Sequence, residues 1–131
     1  APDDPAVLEE YCDFLKEYLS QGFTEKQMEQ IQRKQYTQLL LKQLGQKVNL
    51  HTCVCLMENL MVQGDFVLAE KTLKIMDQNW HRSEEYWIWK IRYLAERKMG
   101  REIKESLKAL KEEHIYLSSK GKEALEFWLI G

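Results

Sequence analysis

Proline is nearly absent from this sequence. It occurs only at Pro2 and Pro5, and glycine is scarce, with six among the 131 residues. Because proline breaks the interior of a helix, its absence from 6–131 permits long helices there. Regular alternation of apolar and polar residues, which would indicate strands, is hard to find. These absences predict an all-α fold.

A surplus of charge of one sign is also missing. The chain has 19 basic and 21 acidic residues, and its formal net charge is -2. Binding to a phosphate backbone needs a strongly basic surface, so general nucleic-acid binding is disfavoured. No apolar run reaches about 18 residues, so no membrane span is expected.

Cysteine is limited to Cys12, Cys53 and Cys55. An odd number of cysteines, two of them separated by a single residue, does not make a disulfide framework. A reduced, cytoplasmic setting is therefore the expectation.

Catalytic and metal-binding patterns are lacking as well. The stretch HTCVC brings His51 close to Cys53 and Cys55. On a helix the two cysteines point about 200° apart, so both cannot face one ion. No glycine-rich phosphate loop is present. We expect no metal site, no cofactor and no enzymatic activity.

Apolar residues recur at helical spacing along most of the chain. Together with capping residues they predict about seven helices, over 3–23, 24–47, 49–63, 65–80, 83–98, 101–114 and 118–130. Short connections between them indicate antiparallel helix hairpins. The predicted caps are Asp4, Thr24 with Gln27, Asn49, Ser83, and Ser118 or Ser119, and the predicted stops are Gly22, Gly45 and Gly64.

The first predicted helix carries many apolar residues. They fall at helical spacing and form one apolar stripe, which consists of Val7, Leu8, Tyr11, Phe14, Leu15, Tyr18 and Leu19. The second predicted helix has a polar first half and an apolar second half. Its start is therefore expected to be exposed and its end buried.

The stretch NLMVQGDFVLAEKTLKIM contains a tight corner between two apolar helices. Gly64, Asp65, Phe66 and Ala69 follow one another in the order and spacing of a tetratricopeptide repeat, which the segment 50–83 resembles. Leu56 and Leu60 match the large apolar positions of that family's first helix, whereas Met57 stands where the family often has a small residue.

A second, weaker unit is interpreted over 84–117. Trp87, Ile91 and Leu94 fall in step with Cys53, Met57 and Leu60 at the family's period of about 34 residues. The corner KMGRE departs from the pattern, and Ile103, Ser106 and Leu110 are expected to fit only if this loop is about three residues longer. The final helix, 120–130, is interpreted as a solvating cap.

The whole chain, 1–131, is predicted to form a single domain. The segment 1–46 would be an N-terminal helix pair that resembles the repeat family in shape alone. The segment 49–131 would hold the repeat-like helices and the C-terminal capping helix.

The resemblance implies a non-catalytic protein-binding module, such as an adaptor, a chaperone or a regulator. The family's inner groove would be lined here by His51, Val54, Glu58, Met61, Val62, Ile88 and Arg92. Because several of these side chains are apolar, the expected partner is an amphipathic helix or peptide of another protein. The alternative is that Val54, Met61 and Val62 are covered by the chain's own second helix, through the segment 39–41.

Two further functions stay open at this point. The stretch LSSKGKEAL, after the basic helix 101–114, resembles the end of a winged helix, which implies DNA binding or transcription regulation. A self-associating structural domain, with exposed aromatic residues pairing between copies, is the other alternative.

Overall fold

The computed structural model describes residues 5–20 and 26–130. Over these ranges it contains eight α-helices and no strand, which confirms the all-α prediction. The helices are α1 (Pro5–Ser20), α2 (Lys26–Gln46), α3 (Leu50–Gln63), α4 (Phe66–Trp80), α5 (Glu84–Glu96), α6 (Gly100–Glu112), α7 (Ser119–Ala124) and α8 (Glu126–Ile130).

The chain divides into two compact units, Ala1–Leu68 (unit 1) and Ala69–Gly131 (unit 2), and the division falls within α4. In unit 1, α1 packs against α2 and α2 packs against α3. In unit 2, α5 packs against α6 and α7, and α7 packs against α8. Most of these contacts join helices that follow each other in sequence, as in a helical repeat.

The corner between α3 and α4 has the predicted form. The side chain of Asn49 caps α3 by accepting hydrogen bonds from the amides of the first turn. Gly64 ends α3 in the left-handed region, at φ 73°. Its amide donates to the carbonyl of Met61, and the amide of Asp65 donates to that of Leu60. Asp65 Oδ1 then accepts from the amide of Leu68 at 3.2 Å and starts α4.

The corner between α5 and α6 repeats this geometry. Lys98 takes the left-handed conformation, at φ 56°, in the place of Gly64. The amide of Lys98 donates to Ala95 at 3.0 Å, and that of Met99 donates to Leu94 at 2.9 Å. Each of these residues lies 34 positions after its counterpart in the first corner. The prediction of a loop three residues longer is therefore wrong, because a lysine here adopts the glycine conformation.

Burial follows the same interval of 34 residues through three segments of the chain. Cap residues Asn49 and Ser83 are in step. The buried positions in step are Cys53, Trp87 and Gly121; Met57, Ile91 and Leu125; Ala69 and Ile103; Thr72 and Ser106; Met76 and Leu110. Helix caps, corners and buried positions thus recur at this interval, and the pattern of the first helix occurs a third time in α7 and α8.

The predicted apolar stripe of α1 is buried only in part. Leu8, Cys12 and Leu15 are buried, whereas Val7, Tyr11 and Phe14 are exposed, Phe14 to 62%. The seven apolar residues cover a wider arc than α2 can shield, so part of them faces outward. The side chains of Tyr18 and Leu19 lie outside the described residues, as do the predicted caps and stop at Asp4, Gly22, Thr24 and Gln27.

Two helix ends differ from the predictions. Gly45 does not stop α2, which continues to Gln46. The predicted last helix is broken at Leu125 into α7 and α8.

Ser118, one of the two predicted caps, accepts a hydrogen bond from the amide of Gly121 at 3.1 Å. Residues 115–118, where a winged helix would have a strand, have no regular structure.

Candidate functional site

The predicted groove residues of unit 1 lie on one face of α3. At about 100° per residue they fall within an arc of about 100°. His51, Glu58 and Val62 are exposed, and Val54 and Met61 are half-buried. Val62 is 62% exposed, so α2 does not cover it. The α3 face, as we call these five residues, thus offers both polar and apolar side chains.

Two clefts lie beside the α3 face and share Arg33 and Val62. One has a volume of about 420 Å³ and is lined by Lys26, Glu29, Gln30, Arg33, Lys34, Val62 and Gln63. The other, of about 230 Å³, is lined by Lys16, Arg33, Tyr36, Cys55, Glu58, Asn59 and Val62. The first cleft has mostly charged and polar side chains, whereas Tyr36, Cys55 and Val62 give the second an apolar part.

A buried amide fixes α2 against α3 beneath these clefts. Asn59 Nδ2 donates to Thr37 Oγ1 at 2.7 Å and to the carbonyl of Arg33 at 2.9 Å. In return, Arg33 Nη1 donates to Asn59 Oδ1 at 3.1 Å. Gln63 adds hydrogen bonds to Thr37 and to the same carbonyl. The network holds the two helices in register and orients the Arg33 guanidinium toward the clefts.

The cysteines are thiols in a buried setting. Burial raises the pKa of Cys12 to about 11 and that of Cys53 to about 11, so both are protonated and poor nucleophiles at neutral pH. Cys55 Sγ lies 3.6 Å from Lys16 Nζ and 3.7 Å from His51 Nε2. In the described ranges no three histidine, cysteine or acidic side chains are grouped to hold a metal ion.

The predicted groove residues of unit 2, Ile88 and Arg92, are both half-buried. Ile88 Cδ1 lies 3.6 Å from where a Cβ on Gly121 would be, so this side chain faces α7. The guanidinium of Arg92 stacks 5.0 Å from the ring centre of Trp89. Ile88 thus packs toward α7, whereas Arg92 contacts a neighbour on its own helix, α5.

An apolar groove that the sequence did not predict lies between α6 and α8 in unit 2. It has a volume of about 620 Å³, and we call it the α6–α8 groove. It is lined by Leu107, Lys108, Leu110, Lys111, His114, Ile115, Leu117, Trp128 and Leu129. Leu110 and Ile115 are buried at its base, while Leu129 is 47% exposed.

The charged side chains that line the α6–α8 groove are lysines, and a histidine lies beside them. Lys108 and Lys111 stand on α6, and His114 follows that helix; all three are exposed. Lys108 forms a surface ion pair with Glu112 at 3.9 Å, a contact that water screens strongly. An acidic ligand with apolar side chains would match this lining.

A second apolar surface lies in unit 1. Val7, Tyr11 and Phe14 follow one another at i, i+4 and i+7 on α1, and we call these three the α1 stripe. The rings of Tyr11 and Phe14 lie 6.5 Å apart, so they form one continuous apolar surface. Glu10 and Glu17, at the i+3 positions of Val7 and Phe14, flank it on one side.

The chain matches no protein-family model, no curated protein and no solved structure. The 34-residue recurrence within the chain is therefore the basis for interpreting its architecture. In the described ranges no helix is long and apolar enough to cross a membrane.

Proposed function

We propose that this protein is a non-catalytic protein-binding module built as a tetratricopeptide-like helical array. The support is internal to the chain. Helix caps, left-handed corners and buried positions recur every 34 residues, which is the period of that repeat family. Arrays of this kind bury a core between neighbouring hairpins and use their remaining surface for partners.

The observation that carries the proposal is the α6–α8 groove. On α8, Phe127 is 81% exposed and Leu129 is 47% exposed. An apolar surface of this kind at a groove is typical of a docking site for another helix.

The partner that fits the groove is an amphipathic helix with acidic flanks. Its apolar residues would insert between Leu107 and Leu129, above the base formed by Leu110 and Ile115. Its carboxylates would face Lys108 and Lys111 along α6. Apolar burial would supply most of the affinity, and the lysines would set the orientation and the sign of charge that is accepted.

The α3 face is a second proposed contact for the same partner class. Val62 is exposed there between Glu58 and the Arg33 cleft. The charged and apolar side chains of this face suit an extended segment of mixed polarity. An adaptor or chaperone would use both surfaces, whereas a partner that needs the groove alone would bind without the α3 face.

The test uses two synthetic helical peptides with identical leucine stripes, one flanked by glutamates and one by lysines. We expect the acidic peptide to bind in a titration followed by fluorescence anisotropy, and the basic peptide to bind at least about tenfold more weakly, equivalent to about 1.4 kcal/mol. Leu129→Glu should abolish binding of the acidic peptide. Val67→Glu, at an exposed valine of α4, is the matched control and should leave it unchanged.

The two surfaces can be separated with one further variant. Val62→Glu should leave the affinity for a short helical peptide unchanged if the groove is the primary site. Equal loss in Leu129→Glu and Val67→Glu, or binding of neither peptide, would contradict the proposed function.

A further inference from the structure

The α1 stripe has the chemistry that the α6–α8 groove accepts. It is an exposed helix face with one aliphatic and two aromatic side chains at i, i+4 and i+7, the spacing by which amphipathic helices enter grooves. Its flank carries Glu10 and Glu17, whereas the groove wall carries Lys108 and Lys111. Both surfaces are apolar, both are open, and their charges have opposite sign.

We propose that copies of this protein associate head to tail, with the α1 stripe of one copy docked in the α6–α8 groove of the next. This inference rests on the proposed function, because it names the occupant of the same groove. Phe14 and Tyr11 would insert among the leucines and Trp128, and the acidic flank of α1 would face the lysines of α6.

Charge disfavours the two symmetric alternatives. Pairing of two α1 stripes would bring the flanking Glu10 and Glu17 of both copies together. Pairing of two grooves would oppose Lys108 and Lys111 to themselves. Like charges placed across an interface cost binding energy, so contact between unlike surfaces is favoured.

A contact between two different surfaces is heterologous, and it leaves one groove and one stripe free at the ends of every dimer. Such contacts continue into open chains or close into rings. Assembly should therefore grow with concentration beyond the dimer in the wild-type protein. It should also weaken as salt is added, because salt screens the lysine–glutamate contacts.

The docked area sets the expected strength. Two aromatic side chains bury about 150–250 Å² each, so one helix face gives an interface below the roughly 1,200 Å² of stable complexes. Affinity in the micromolar range is expected, and the assembly should dissociate on dilution. The experiment must therefore cover concentrations from about 1 μM to 1 mM.

The test mixes two variants of the full chain. Phe14→Glu destroys the stripe and keeps the groove, and Leu129→Glu destroys the groove and keeps the stripe. In sedimentation velocity each variant alone should be monomeric at every concentration. The mixture should form a 1:1 dimer and nothing larger, because one intact stripe meets one intact groove. Val67→Glu should assemble like the wild type.

The remaining outcomes overturn the inference. A wild type that is monomeric at about 1 mM would exclude head-to-tail association. A mixture of the two variants that stays monomeric at several hundred micromolar, on the order of the highest concentrations used, would exclude it as well. A single variant that still dimerises would indicate a symmetric contact. The acidic peptide would still bind the groove of a monomeric wild type if the proposed function alone is right, so the two failures are distinguishable. Circular dichroism of both variants verifies that they are folded.

Discussion

At the scale of single residues, Glu84 joins the start of α5 to the start of α7. Its carboxylate accepts from the amide of Ser118 at 2.6 Å and from the Ser118 hydroxyl at 2.8 Å. Gly121 leaves room for this contact, because a Cβ there would lie 2.5 Å from Glu84 Oε2. Alanine is normally preferred to glycine inside a helix. The glycine at this helical position is therefore explained by the close packing of Glu84.

Gly121→Ala is predicted to destabilise the protein although alanine favours helix. The helical gain is about 1 kcal/mol. The Glu84 carboxylate must shift, which weakens two hydrogen bonds to a charged group that are worth about 1.5–3 kcal/mol each when intact. A net loss of about 1 kcal/mol is therefore expected in urea unfolding. In a Glu84→Ala background the same change should stabilise. Equal effects in both backgrounds would contradict the proposed contact.

His81 links the end of α4 to the end of α6. Its Nδ1 contacts Asp77, and its Nε2 contacts Glu113 Oε1 at 2.6 Å. Hydrogen bonds raise the pKa of His81 above 6.5; the bond to Asp77 has the largest effect and the bond to Glu113 the second largest. The ring also lies edge-on to Trp87. The charged imidazolium is therefore stabilised in the folded state, at a side chain that is 40% exposed.

A pH dependence of stability follows from this shift. Because the pKa of His81 is higher in the folded than in the unfolded state, its contribution is fully present below the unfolded value of 6.5 and is lost as pH rises through the folded value. The difference in Tm between wild type and His81→Gln should therefore shrink between pH 6 and pH 9. His114→Asn is the control, and a difference that stays constant or grows would refute the assignment.

At the scale of elements, the two left-handed corners show what local sequence determines. Gly64 predicted its corner, since glycine readily takes a positive φ. Lys98 takes the same conformation although its Cβ makes a positive φ unfavourable. The second corner therefore has no Gly-Asp-Phe motif from which it could be predicted. The backbone hydrogen bonds of the two corners are equivalent, and the 34-residue register survives the change of residue.

Lys98→Gly is predicted to stabilise the protein. A left-handed conformation costs a non-glycine residue about 1 kcal/mol, which glycine would remove. Gly64→Ala should lower stability by a similar amount, because no neighbour lies within 4 Å of its Cβ position and backbone strain alone acts. Urea unfolding of both variants checks this. A neutral Lys98→Gly would mean that the α5–α6 corner is unstrained.

The buried Asn59 network sets the contact between α2 and α3. Asn59→Ala is predicted to lower the free energy of unfolding by about 2 kcal/mol, since Thr37 and Arg33 lose their buried partner. Gln63→Ala should cost less, because Gln63 is only half-buried and water can replace it. Urea unfolding of both variants measures the two losses in free energy. Equal losses would contradict a special role for the buried Asn59.

The sequence predicted the elements better than their faces. The caps Asn49, Ser83 and Ser118 were predictable because they act on their own helix within one turn. The outward stripe of α1 was not, since its apolar residues cover more than one face and only packing selects which are buried. A further local signal is the i, i+4 spacing of His51 and Cys55. This spacing predicts the contact that the two side chains make on α3.

At the scale of the whole molecule, the recurrence of burial every 34 residues is the feature that organises the chain. The two repeats that the sequence indicated, over 50–83 and 84–117, follow from its periodicity. The α6–α8 groove could not be predicted, because Leu107 and Trp128 come together only through the packing of separate helices. The predicted site on α3 remains a prediction, and the α6–α8 groove is a second candidate that the sequence did not indicate.

The central claim is that the α6–α8 groove is where a helix docks. The most direct measurement is amide chemical-shift mapping by NMR of the full chain during titration with the acidic helical peptide. The account predicts saturable shifts concentrated in 107–117 and 126–129, lost in Leu129→Glu. Shifts confined to α3 and the Arg33 clefts, or no saturable shifts at all, would contradict it.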